Sequence, residues 1–73
     1  MAGFNVESEV SGNVWKILVS VGDKVAEGDV LMILESMKME IPVESPRAGT
    51  VQALCVATEQ QVEEGQPVVV LGE

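Results

Sequence analysis

The chain has 73 residues, no histidine and one cysteine, and its twelve acidic against four basic residues give a formal net charge of −8 at pH 7. This length predicts one small domain with a modest core and no room for a large buried catalytic cleft. The negative charge argues against binding to nucleic acid or to an anionic membrane surface, and one cysteine cannot form an internal disulfide.

The first half of the chain is rich in valine and interrupted by glycine, a pattern that favours short strands over helices. Its predicted elements are a strand at 4–7, a strand at 12–19, a turn at 20–24, a brief strand and second turn at 25–29, and a buried strand at 30–35. Gly22 and Gly28 supply the backbone freedom that the two turns need.

The second half repeats this order of elements. It predicts a strand at 39–43, a loop at 45–49, a strand at 50–56, two turns within 58–67 and a last strand at 68–71. Pro42 favours a position at the edge of a sheet for the strand that contains it, because proline cannot donate to a neighbouring strand.

The chain contains an internal repeat: residues 4–35 align with residues 41–72 without a gap, at an offset of 37 positions. The identical pairs are Val6/Val43, Glu7/Glu44, Ser8/Ser45, Gly12/Gly49, Val14/Val51, Val19/Val56, Val25/Val62, Glu27/Glu64, Gly28/Gly65 and Leu34/Leu71. Two copies are too few for a solenoid, so we expect two halves that cover each other's apolar side about a pseudo-two-fold axis. The predicted fold is all-β, a small sandwich or flattened barrel of about eight short strands in two related sets. Lys38 then lies at one end and both chain termini at the other.

The segment ESMKME, residues 35–40, occupies the join between the two copies. Only a tight hairpin can connect strands 30–35 and 39–43, and Met37 and Lys38 fall at its tip. Such turns favour Asn-Gly because their central residues need positive φ, and methionines at a tip have little to pack against. This conflict between sequence and local structure indicates a functional site. The plainer interpretation is an ordinary surface lysine beside methionines that cap the core.

At these residues the chain resembles the biotinyl domain of biotin-dependent carboxylases. The resemblance rests on ESMKME within the glycine-punctuated run VSVGDKVAEGDVLMILESMKMEIPVESPRAGTV, and it extends over roughly residues 6–71. It implies a single biotinyl domain over residues 1–73 with the hammerhead fold of biotinyl and lipoyl domains, a flattened barrel or sandwich of two similar four-stranded sheets related by pseudo-two-fold symmetry.

The resemblance implies that a biotin protein ligase joins biotin to Lys38 by an amide bond, using ATP. The flanking recognition residues would be Glu35, Ser36, Met37, Met39 and Glu40. It further implies a non-catalytic carrier that moves a carboxyl group from a biotin carboxylase to a carboxyltransferase, whose acceptor is usually an acyl-CoA or a keto acid. The N-terminal residues lack the basic and apolar regions of a signal peptide, which favours the cytoplasm.

Three alternatives remain open at this point. A lipoyl carrier of a 2-oxo acid dehydrogenase or glycine-cleavage system shares the fold and would carry lipoate on Lys38, or the lysine could accept both groups. Lipoyl domains usually present a tip such as Asp-Lys-Ala, so Met37 and Met39 favour biotin. An unmodified adaptor that keeps the fold but carries no cofactor is the second alternative. An independent enzyme fits least, because neither a nucleophile–base pair nor a metal cluster is visible in the sequence.

Four further features have ordinary structural interpretations. We expect Trp15 to pack in the core or on a sheet face rather than against a partner. Cys55 is expected to serve as a small apolar side chain. Gly12 and Gly49 are expected to lie in turns, like the other repeated glycines.

Overall fold

The computed structural model describes residues 3–72, so the extreme ends of the predicted 1–73 domain lie outside it. The described chain forms strands only, and their bounds are β1 Phe4–Glu7, β2 Gly12–Ile17, β3 Lys24–Val25, β4 Val30–Ser36, β5 Met39–Glu44, β6 Gly49–Leu54, β7 Gln61–Val62 and β8 Pro67–Gly72. The strand predicted at 12–19 ends two residues early, at Ile17. Beyond it the chain leaves β2 and crosses to the other sheet, where Lys24 and Val25 pair with β6.

The strands form two antiparallel four-stranded sheets. One has the order β5-β4-β2-β7 and carries the β4–β5 hairpin; we call it the hairpin sheet. The other has the order β1-β8-β6-β3 and contains the first and last strands; we call it the terminal sheet. The two orders are related by the repeat. Replacing β5, β4, β2 and β7 by their equivalents in the other half, which are β1, β8, β6 and β3, turns the order of the hairpin sheet into that of the terminal sheet. The predicted all-β sandwich with internal pseudo-two-fold symmetry is therefore confirmed, and β5, with Pro42, is an edge strand as expected.

The core consists almost entirely of residue pairs related by the repeat. The buried apolar pairs are Val6/Val43, Val14/Val51, Val25/Val62, Leu31/Val68, Met32/Val69 and Leu34/Leu71. Val56 is buried as well, while its equivalent, Val19, packs against this cluster in a partly buried position. Each sheet combines two strands of each half, so the two halves interleave around a single core and neither can bury its apolar residues alone.

The repeat extends to the hydrogen bonds that fix the turns. The carboxylate of Asp23 accepts a bond from the backbone N–H of Ser20 at 2.8 Å, and Gln60 Oε1 accepts one from Ala57 at 3.1 Å. The Ser8 N–H donates to the Gln66 carbonyl at 2.9 Å, and the Ser45 N–H donates likewise to Asp29 at 2.8 Å. Each edge strand is thus tied to a turn of the other half.

The hairpin lies at the opposite end of the molecule from Phe4 and Leu71, near the ends of the described chain, and the molecule measures 36 × 18 × 17 Å. At one end Phe4 pairs with Leu71. The chain then runs along β1 to Ser8, and Gly12, which follows, lies beside Ser36 at the base of the hairpin. Lys38 thus lies at the end opposite Phe4 and Leu71, as predicted, and the termini themselves lie outside the described residues.

Candidate functional site: the tip of the β4–β5 hairpin

The hairpin turns through two residues. Ser36 pairs with Met39, and the two residues between them, Met37 and Lys38, have φ values of 51° and 65°. Positive φ at both central positions is the requirement of a type I′ turn, which matches the twist of the flanking strands. The predicted tight hairpin is confirmed, and so is its conflict with its own sequence. The left-handed region costs a residue with a Cβ about 1–2 kcal/mol, so this turn stores backbone strain that Asn-Gly would avoid.

The side chains at the tip project into solvent. Met37 is 92% exposed and Met39 is 63% exposed, and Lys38 is exposed between them. Two flexible apolar side chains held in water gain nothing from the core of this domain. They are available for contact with another protein, because methionine adapts readily to the surface against which it packs.

Two carboxylates lie at the base of the tip. Glu35 on β4 and Glu40 on β5 are directly opposite each other in register, and both are exposed. Like charges in this relationship destabilise a strand pair. Their equivalents at the offset of 37 positions are Gly72 and Gly3, so the architecture itself does not require charge at these positions. Ser36, the third flanking residue, is partly buried.

Gly12 sets how closely β2 approaches the hairpin. A Cβ at this position would lie 2.7 Å from the Glu35 carbonyl oxygen and 3.2 Å from Ser36 Cβ. Gly49 meets the Gly72 carbonyl oxygen at 2.5 Å in the same way. The prediction that these two glycines lie in turns was wrong: both begin strands, where they permit close contact between backbones. Gly28 does lie in a turn, with φ 90°.

The interpretations of Trp15 and Cys55 are partly confirmed. Trp15 is not in the core: it is 50% exposed and lies on the outer face of the hairpin sheet. Cys55 is exposed, so it does not fill the core either. The apolar character of both residues suggested burial. The signal that could have corrected this was the repeat, because the equivalent of Trp15 is the polar Gln52.

The chemistry available at the tip is that of one primary amine on a rigid projection. Lys16 and Lys24 are also exposed, but both lie within strands rather than on a turn. Within residues 3–72 no group of three or more histidine, cysteine or acidic side chains could hold a metal ion. An exposed lysine Nζ with open space around it fits acylation by a carboxyl group, as covalent attachment of a cofactor requires.

Comparison with known proteins agrees with this geometry. The protein-family profile described as "Biotin-requiring enzyme" matches residues 2–71. A Mycobacterium leprae protein named "Biotinylated protein TB7.3 homolog" is 40% identical over 67 residues, which cover 92% of this chain and 94% of the relative. A Streptococcus mutans biotin carboxyl carrier protein is 40% identical over 70 residues, covering 96% of this chain and 54% of the relative.

The same fold occurs in a solved structure. The crystal structure of Kluyveromyces lactis urea carboxylase superposes with a TM-score of 0.90 and 34% identity. The match covers 97% of this chain but 6% of that enzyme. The chain therefore corresponds to nearly all of one relative, about half of another and a small part of the urea carboxylase chain.

Proposed function

Because this chain belongs to the family of biotin- and lipoyl-bearing domains, we propose that it is a biotin carboxyl carrier with biotin joined through an amide bond to Lys38. The observation that carries the proposal is the placement of Lys38, exposed between two exposed methionines on a two-residue turn at the end of the molecule opposite Phe4 and Leu71. A post-translational enzyme can reach Nζ there without moving any other part of the domain.

The attachment reaction condenses the carboxyl group of biotin with Lys38 Nζ. The carboxyl group is first activated at the expense of ATP; nitrogen then forms the new C–N bond, the activating group leaves, and the amine loses a proton. A biotin protein ligase must therefore recognise this hairpin. We assign the recognition to the five residues around the lysine, which are Glu35, Ser36, Met37, Met39 and Glu40. The opposed carboxylates and exposed methionines support this assignment, because the fold does not need them.

The domain acts as a carrier and does not catalyse the reaction itself. When bound, biotin supplies a ring nitrogen that accepts and releases a carboxyl group. The protein supplies a rigid mount from which the tethered ring reaches a biotin carboxylase and then a carboxyltransferase. Tethering makes each encounter effectively intramolecular once the domain has docked, which raises the local concentration of the ring.

We also propose that residues 1–73 act as one such domain and that it works in the cytoplasm. Support comes from the single shared core and from the net charge of −8, which is unsuited to an anionic membrane surface. Within the described part of the chain, no helix has the length and apolarity needed to cross a bilayer.

Carboxyl labelling tests the carrier role. The biotinylated protein is incubated with ATP, radiolabelled bicarbonate and a purified biotin carboxylase, beside a Lys38→Arg variant taken through the same biotinylation step. We expect acid-labile label on the wild-type protein only. If a biotinylated wild-type chain takes no label, or if only lipoate can be attached to Lys38, the carboxyl carrier function is wrong and a lipoyl carrier becomes the better account.

A further inference from the structure

The internal repeat identifies surface residues that the fold does not require. Each position in one half has an equivalent that experiences the same backbone geometry in the other half. At buried core positions, the two copies carry the same or similar apolar residues. A position where they disagree strongly on an exposed face is therefore a candidate for a role that only one half performs.

Trp15 is such a position. The register of β2 against β4 shifts between Val14 and Lys16, so Trp15 is the extra residue of a β-bulge. The register of β6 against β8 shifts in the same way around Gln52, the equivalent residue. Bulges redirect a side chain relative to the sheet, and they are common beside functional sites. The same bulge presents tryptophan in the hairpin sheet and glutamine in the terminal sheet.

The surroundings of the two bulge residues differ as much as the residues do. The Gln52 side chain lies over Gly3 and Gly72, which leave space for it, so it rests on its own sheet. The positions equivalent to those glycines are Glu40 and Glu35, both exposed. The two positions that are glycine in the half with Gln52 are therefore glutamate in the half with Trp15. Half of the surface of Trp15 is exposed to solvent.

Further apolar surface adjoins Trp15. Ile33, partly buried, pairs with Lys16 on one side and with exposed Pro42 on the other, so the three strands present one row across the outer face of the sheet. We call the surface made by Trp15, Ile33, Pro42, Glu35 and Glu40, together with exposed Lys16, which pairs with Ile33, the Trp15 face. It combines an aromatic plane and aliphatic groups with two carboxylates on the side towards the hairpin tip.

We propose that the Trp15 face is the surface on which a biotin carboxylase docks, through a partner surface that presents arginine side chains beside apolar groups. The inference rests on the proposed carrier function. Charge and shape select this partner: a guanidinium stacks on an indole ring and pairs with carboxylates, and aromatic anchors of this kind dominate binding at protein interfaces.

Distance favours the carboxylase over the ligase. Ile33 lies four residues below Met37 along the hairpin, which corresponds to about 13 Å at the rise of a β-strand. A ligase must bring its active site to Lys38 Nζ itself, so its contacts concentrate at the tip. An enzyme that receives the biotin ring at the end of the long lysine–biotin arm can hold the domain further down the same face.

The test replaces Trp15 by the residue that the other half carries. Biotinylated wild-type, Trp15→Gln and Trp15→Phe proteins are compared as substrates of a purified biotin carboxylase. The matched control is Val21→Gln, because Val21 is 61% exposed on a turn whose neighbouring Gly22 bonds to β6 of the terminal sheet. Urea unfolding followed by circular dichroism verifies that each variant is folded.

We expect Trp15→Gln to lower kcat/KM by at least about tenfold, mainly through KM, and Trp15→Phe to retain most of the activity. The Val21→Gln value should stay within about twofold of wild type, and so should the rate at which a ligase biotinylates Trp15→Gln. Carboxylation of free biotin by the same enzyme shows that the carboxylase is active.

Three results would overturn the inference. In the first, folded Trp15→Gln is carboxylated with the wild-type KM. In the second, Trp15→Gln slows biotinylation by the factor by which it slows carboxylation, in which case the face serves the ligase. In the third, the carboxylase acts on free biotin but not on the biotinylated wild-type chain, which rejects the carrier function itself and this docking surface with it.

Discussion

Met37 and Lys38 hold adjacent left-handed backbone conformations, with φ values of 51° and 65°, at the most exposed point of the β4–β5 hairpin. Neither residue relieves the steric cost of that conformation as glycine or asparagine would. A turn that is poor for folding but suited to presenting a lysine between two methionines indicates that function has selected these side chains.

Met37→Asn tests that trade-off. Asparagine tolerates the left-handed region, so we expect the free energy of unfolding to rise by roughly 0.5 kcal/mol while the rate of biotinylation falls. Urea denaturation and a ligase assay measure the two effects. Met39→Asn is the matched control: Met39 is exposed within β5, without positive φ, so its replacement should not stabilise the protein. Equal stabilisation by both variants would reject strain at position 37.

The opposed carboxylates at the base of the hairpin give a second prediction. Glu40→Gln removes a like-charge pair with Glu35, so it should stabilise the protein by a few tenths of a kcal/mol, about the lower end of the range for cross-strand pairs. The gain should shrink at high salt, because salt screens exposed charges. Thermal unfolding at low and high ionic strength measures it. Glu44→Gln is the control, since Glu44 pairs with Val30; a similar gain there would point to net charge alone.

Gly12 and Gly49 form a natural pair for testing how the base of the hairpin is positioned. Alanine at either position meets a carbonyl oxygen, at 2.7 Å for Gly12 and 2.5 Å for Gly49, so each variant should lose about 1–3 kcal/mol of stability. Gly12→Ala should also displace Glu35 and Ser36 and slow biotinylation. Gly49→Ala acts at the other end of the molecule. A ligase assay on the folded fraction of each variant distinguishes them, and equal ligase rates would contradict a positioning role for Gly12.

Glu59 supplies a prediction unrelated to the site. It has φ 69° at the position where the other half has Gly22 with φ 98°, and both residues donate a backbone hydrogen bond to a strand of the opposite half. Relief of the left-handed strain outweighs the extra freedom that glycine brings to the unfolded chain, so Glu59→Gly should gain about 0.5–1 kcal/mol. Biotinylation should be unchanged. Chemical denaturation that shows a loss of stability would contradict this account.

Most of the fold could be predicted because the internal repeat gives each half the same pattern of strands and turns. The repeat identified the paired core residues, and the turn glycines with their following acidic or amide side chains placed the chain reversals. The positive φ of Met37 could be anticipated from the length of the connection, since only a two-residue turn fits between Ser36 and Met39.

Other features depend on tertiary contacts that periodicity does not show. The close approach of Gly12 to the Glu35 carbonyl is set by how β2 packs beside β4, so its sequence looked like that of a turn. The bulge at Trp15 adds a residue to β2, so that Trp15 and Lys16 are both exposed instead of alternating between the two faces.

The most direct test of the central claim is the mass of the intact protein after incubation with a biotin protein ligase, ATP and biotin, followed by fragmentation to locate the modified residue. The account predicts a gain of one biotinyl group, located on Lys38 and absent from Lys38→Arg. No gain in a folded protein, or a biotinyl group on Lys16 or Lys24 instead, would contradict it.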